Sequence, residues 1–349
     1  MEKNERFISI THSIELYGIA ILLMICHHMF GFPERINGTY ITFFMHKGTP
    51  VITILAGGCK ICVAMYAFLS GYGMITKIGT TNPIAVIKKG YQVIFQHLKK
   101  FYMVYWLIFA IFIGYGFLTG RRAFQAKEFF YNLLGIAHSY NEEWWYVWQY
   151  VRMLLLFPLF ACVIVCFSEK IKKGRYVLWL VLVLLLEVAA VLTSLMTPFW
   201  VYTFCFFNGM IISYGKVDVC LYRMAAHPVI AVLIGTVLSC AVFLARLTIA
   251  GGGQYDFIVG PVFIYGMLLF LYGGWADSLK KSLKVLGHYS IYMWLTHTFF
   301  IYYYFQYIML KGKYAFVIFP VTVAVDLGLS IFLDKLVNCR LMSILRSTK

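Results

Sequence analysis

Residues Ser13 to Phe32 read SIELYGIAILLMICHHMFGF: one acid, then an apolar run broken only near its end by His27 and His28. A hydrocarbon core about 30 Å thick is crossed by about 20 apolar residues in a helix, so this segment predicts a transmembrane span. Two imidazoles in such a segment cost free energy to bury, and that cost points to a function.

The rest of the chain has the same character. Of its 349 residues, 62% are hydrophobic and 13% charged, with a mean hydropathy of +0.79, whereas soluble domains carry about 25% charged residues. Apolar runs of spanning length fall at 13–30, 52–76, 101–119, 144–167, 176–195, 199–214, 229–247, 257–274, 285–309 and 315–333. The predicted fold is therefore all-α: a polytopic membrane protein of about ten transmembrane helices. The connections between spans are short and polar, so 1–349 reads as a single integral-membrane domain.

With the N-terminus placed in the cytoplasm, twenty of the thirty Lys and Arg residues fall in inside loops and seven in outside loops. That asymmetry predicts both termini cytoplasmic. It also accounts for the net charge of +16 through anionic membrane lipids, with no need of nucleic acid as a partner. The mixed charge of Met1–His12 and the lack of a small-residue cleavage site predict that the first helix is retained. The nine cysteines lie mostly within spans and imply no disulfide framework. The single C-x-x-C, Cys59 to Cys62, is a weak redox signal, and Lys60 within it reads as a snorkelling cation or a phosphate contact.

Several motifs occur in order along these spans. Gly18–Phe32, GIAILLMICHHMFGF, resembles the opening helix of the membrane acyltransferase 3 family, whose histidine falls eight residues after Ala20, at His28. Phe68-Leu69-Ser70-Gly71-Tyr72 resembles the family's FxSGY segment, and Lys99-Lys100 before Phe101 resembles its basic approach to helix three. Trp144-Trp145-Tyr146-Val147 with Tyr150 and Phe157-Pro158 resembles its WF-x-x-x-Y…P helix, while Leu286–Ser290 and Trp294–His297 resemble its penultimate helix. Tyr17 stands where the family usually has a basic residue, and lysines replace its paired arginines between Lys77 and Lys100.

The resemblance implies an O-acyltransferase of the plasma (inner) membrane, with acetyl-CoA as co-substrate rather than a bound cofactor. The implied acceptor is a hydroxyl of a cell-surface polysaccharide or its lipid-linked precursor. Such a transfer needs a base for the hydroxyl proton or a nucleophile to carry the acyl group, and imidazole serves as either. His28 lies about 22 Å along its helix, at 1.5 Å per residue, in the outer half of the membrane. His27 and His28 point about 100° apart, so one works and the other packs, and the spacing favours His28.

Glu15, about 18–20 Å from the pair along the axis, is a cytoplasmic-side contact for packing or for the donor. Lys99 and Lys100 are the other candidate donor contacts. Trp145, Gln149, Arg152 and His297 are candidate acceptor contacts, and no metal site is read from the spacing. Glu187 and Asp326 are expected to pair with cations of neighbouring helices. Two other functions fit the bulk composition: a transporter of a small metabolite or acyl group without chemistry, and a haem protein in which His28 and His297 are axial ligands.

Overall fold

The structure is a computed structural model that describes residues 6–170, 175–249, 252–272 and 276–347. Lys3, Lys172, Lys173, Gly251 and Lys349, which entered the charge and loop readings, lie outside those residues. In chain order the helices are α1 (Ile10–Phe30), α2 (Val51–Gly58), α3 (Cys62–Ile75), α4 (Pro83–Leu118), α5 (Ala126–Leu133), α6 (Trp145–Lys170), α7 (Arg175–Leu192), α8 (Pro198–Gly215), α9 (Leu221–Ala225), α10 (Pro228–Thr248), α11 (Asp256–Leu271), α12 (Asp277–Thr298), α13 (Gln306–Leu310) and α14 (Ala315–Ser347). One small hairpin, β1 (Met45–His46) with β2 (Thr49–Pro50), turns through Lys47 and Gly48, both at positive φ, the backbone that a tight two-residue hairpin requires.

Each predicted span falls on helical chain, so the all-α membrane class holds. Seven helices among the described residues are long and apolar enough to cross a membrane, or eight if the pair Pro198–Gly215 and Val217–Ala225, bent by 65°, counts as one. The two remaining predicted spans fall short for visible reasons. The apolar part of α7 is only Trp179–Leu192, and α12 opens with Asp277, Lys280, Lys281 and Lys284.

The chain divides into two compact units. The first comprises Met1–Met24, Gly57–Ile94 and Met153–His288; the second comprises Ile25–Ala56, Phe95–Arg152 and Tyr289–Lys349.

In the first unit, glycines let helix backbones touch. A Cβ on Gly71 of α3 would overlap the Phe206 carbonyl of α8, one on Gly209 would overlap the Phe68 carbonyl, and one on Gly287 of α12 would overlap the Ile14 carbonyl of α1. In lipid, where hydrophobic burial does not drive helices together, such small-residue crossings let van der Waals packing do so. Gly71→Ala is thus expected to lower stability by about 1–3 kcal/mol through overpacking, read as a fall in the unfolding midpoint of the purified protein.

Polar groups inside this unit are matched by neighbours. Arg246 donates from Nε to Asp256 Oδ1 (2.8 Å) and from Nη2 to Oδ2 (3.1 Å), and its Nη1 reaches the carbonyls of Gly57 (3.2 Å) and Gly58 (3.1 Å). The expected cation partner of Glu187 is instead Asn208, whose Nδ2 donates to Oε2 at 3.0 Å. In the second unit, Asp326 likewise accepts from the Thr296 hydroxyl at 2.6 Å. Neutral donors on neighbouring helices, Asn208 on α8 and Thr296 on α12, serve these acids in place of cationic side chains.

Candidate active site

The second unit holds the histidine pair. His27 and His28 close α1 with ring centroids 5.2 Å apart, and the two rings meet different partners. His27 is buried, donates from Nδ1 to the Ala56 carbonyl at 2.7 Å, and meets the Phe32 ring edge-on at 5.0 Å. His28, half-buried, faces α12: its Nδ1 lies 2.7 Å from His297 Nε2, with ring centroids 4.9 Å apart and planes inclined by 28°.

The tautomers follow from the partners. His297 Nδ1 lies 2.9 Å from the Met293 carbonyl, which can only accept, so the neutral ring carries its proton there and its lone pair on Nε2. His28 must then donate from Nδ1, which leaves the basic lone pair of His28 on Nε2. This direct contact does not suit the axial-ligand reading: metal–imidazole bonds are about 2 Å, so two nitrogens facing across an ion would stand about 4 Å apart. Among the described residues, no group of three or more His, Cys, Asp or Glu is arranged to hold a metal ion.

Above His28 stands a roof that begins with a π-helical turn, Phe299–Tyr303, following α12. The Tyr302 hydroxyl donates to the His28 carbonyl, one of the last four carbonyls of α1 and so without a partner in its own helix. The Arg35 guanidinium lies over the Tyr302 ring, 3.9 Å from its centroid. Arg35 is paired with Glu143, with Glu142 Oε2 at 3.4 Å, and the Tyr303 hydroxyl donates to Glu143 Oε2 at 3.1 Å. Burial opposes the charge on Arg35, but the hydrogen bond and charge of Glu143 outweigh it and hold the guanidinium above its usual range.

Two amides complete the roof. Gln306 Nε2 donates to the carbonyls of Arg35 (3.0 Å) and Ile301 (2.7 Å), while its Oε1 accepts from the Asn37 N–H at 2.8 Å. Asn141 Nδ2 donates to Thr298 Oγ1 at 2.7 Å, and its Oδ1 accepts from the Glu143 N–H, which fixes the turn that carries the acid. Tyr302→Phe removes a single hydrogen bond from this arrangement and is expected to lower stability by about 0.5–1.5 kcal/mol, read as the unfolding midpoint.

Of the predicted site residues, the structure brings His28, His27 and His297 together. His297, read from sequence as either a supporting hydrogen-bonder or an acceptor contact, is the hydrogen-bond partner of His28. Trp145, Gln149 and Arg152 recur at one-turn spacing on α6; Gln149 is buried and accepts from Arg152 Nη2 at 3.4 Å. Lys99 and Lys100 are exposed on α4. Glu15, in the first unit, is buried with Lys284 Nζ at 3.3 Å. Lys60 is exposed, and Cys59 and Cys62 are buried and not joined in a disulfide.

Sequence reasoning missed Arg35, Glu143 and Tyr302. Their signal was present in the run Tyr302-Tyr303-Tyr304 towards the outer end of the predicted 285–309 span, and in the acidic pair Glu142-Glu143 and Arg35 on the predicted outer side.

The acyltransferase domain family matches residues 16–334, nearly the whole chain. No curated protein and no solved structure matches.

Proposed function

Because the chain belongs to the acyltransferase domain family and is a multi-pass membrane acyltransferase, we propose that it acetylates a hydroxyl of a cell-surface polysaccharide or its lipid-linked precursor. The donor is acetyl-CoA drawn from the cytoplasm, the membrane is the plasma (inner) membrane, and His28 is the base. The observation that carries the reading is the 2.7 Å contact between His28 Nδ1 and His297 Nε2, whose tautomers put the basic lone pair on His28 Nε2.

In this reading Nε2 takes the acceptor hydroxyl's proton as its oxygen bonds to the thioester carbonyl carbon. The C–S bond then breaks, and the departing sulfur takes that proton from His28 to leave as a thiol. The imidazolium formed in between is held by its Nδ1–H donation to His297, which is itself fixed on Met293. Charge-assisted hydrogen bonds of this kind are roughly twice as strong as neutral ones, so the pair is more stable when His28 carries the transferred proton. His297 is thus a positioning residue. The roof of Arg35, Glu143 and the tyrosines supplies aromatic faces and charged hydrogen-bonding groups, which suit a sugar.

Mass spectrometry of envelope glycans from strains with and without the protein tests the function. An acetyl-sized mass increment should be lost without it. Identical glycans would overturn the acceptor assignment.

A further inference from the structure

At the N-terminal end of the first unit, a segment outside the family match fills a slot built by the matched region. The match begins at residue 16, and Phe7 precedes it, yet Phe7 is fully buried. Its ring lies parallel to Tyr272 (5.4 Å, 4°), edge-on to Tyr222 (5.1 Å, 84°) and beside Tyr265 (6.3 Å). Beneath the slot is Asp218, 4% exposed. Its Oδ2 accepts from Tyr72 (2.8 Å) and Tyr265 (3.0 Å), whereas Oδ1 has no hydrogen-bond partner of good geometry among the described residues.

The main-chain N–H groups of Phe7 and of Asp218 itself also bear on this buried carboxylate, so anything that displaces Phe7 has to bring a donor in its place. The Phe7 segment imitates such a ligand in part. Its ring fills the aromatic slot, and its main-chain N–H bears on the Asp218 carboxylate. Its bonds include Arg6 Nε to the Ser213 carbonyl, Tyr222 hydroxyl to the Arg6 carbonyl, Ile8 N–H to the Tyr72 hydroxyl, and the His12 ring, whose Nδ1 lies 3.1 Å from the Phe7 carbonyl.

We propose that the slot seats the adenine-nucleotide end of the acyl donor and that Phe7 is a plug which the nucleotide displaces. A flat purine replaces the Phe7 ring against Tyr272, its exocyclic amine donates to Asp218 Oδ1, and Arg6 faces the phosphates, with Lys280 and Lys284 within electrostatic reach of neighbouring His12. The inference rests on acetyl-CoA as donor and on a cytoplasmic N-terminus.

The test is calorimetric titration of the purified full chain with CoA, adenosine diphosphate and pantetheine. Since a plugged slot lowers apparent affinity by the fraction of molecules that are open, Phe7→Ala should bind CoA and the diphosphate about tenfold tighter. Phe7→Leu, which keeps the apolar packing, should shift affinity in the same direction and guards against a folding failure. Asp218→Asn should weaken both ligands about tenfold, and pantetheine should respond to none of the three. Unchanged affinities in folded Phe7 variants, or an equal response by pantetheine, would overturn the slot. Acetyl transfer whose KM for acetyl-CoA ignores Phe7 and Asp218 also removes the slot but leaves the proposed function standing. The expected diphosphate response without any transfer keeps the slot and removes the function.

Discussion

His28→Ala is expected to slow acetyl transfer by about 10²- to 10⁴-fold, the range a general base contributes, with CoA binding and the unfolding midpoint nearly unchanged. The expectation rests on the tautomer chain from the Met293 carbonyl through His297 to His28, which puts the basic nitrogen at the one ring position not engaged with His297. The measurement is transfer of labelled acetyl from acetyl-CoA to glycan in reconstituted vesicles; wild-type rates would end His28's role. His297→Gln discriminates further. Its carbonyl can still accept from His28, so it should retain more activity than His297→Ala, whereas a purely packing role would treat the two alike.

The second large effect is on stability. Arg246→Ala leaves Asp256, wholly buried, without its bidentate partner, and it strands the carbonyls of Gly57 and Gly58. Breaking a buried pair by removing one partner costs about 3–5 kcal/mol, because the remaining charge is uncompensated. The unfolding midpoint and the yield of folded protein should both fall sharply. Arg246→Lys should recover little, since an ammonium cannot present the two parallel N–H groups. Replacing both residues with apolar ones should restore most of the loss. A double variant as unstable as Arg246→Ala would show that the cost is not electrostatic.

The sequence was legible where the physics is local. Spans follow from hydropathy over about twenty neighbouring residues; helix periodicity separates His28 from His27, and the choice between them came from the resemblance, whose histidine falls eight residues after Ala20. What joins remote parts of the chain was not legible. Arg35 read as one more outside-loop cation because its partner Glu143 lies 108 positions away, and no local pattern announces such a pair. The same limit sent Glu187 and Asp326 to the wrong class of partner. His297 was read as a hydrogen-bonder or an acceptor contact, but its 2.7 Å contact with His28 is something only the fold supplies. The membrane class was plain throughout, whereas charged residues at the start of α12 blurred the number of spans.

The π-helical turn at Phe299–Tyr303 has a consequence for the register of the chain beyond it. A π-turn holds one residue more than the α-turn it replaces. Wound as an α-turn, the same residues would swing everything after them by about 100°. Tyr302 would then leave the His28 carbonyl and Arg35 would lose its ring, while α12 and the contact between the two histidines stayed in register. At this point in the chain the extra residue of the wide turn, rather than the identity of any one side chain, sets what stands over the histidine.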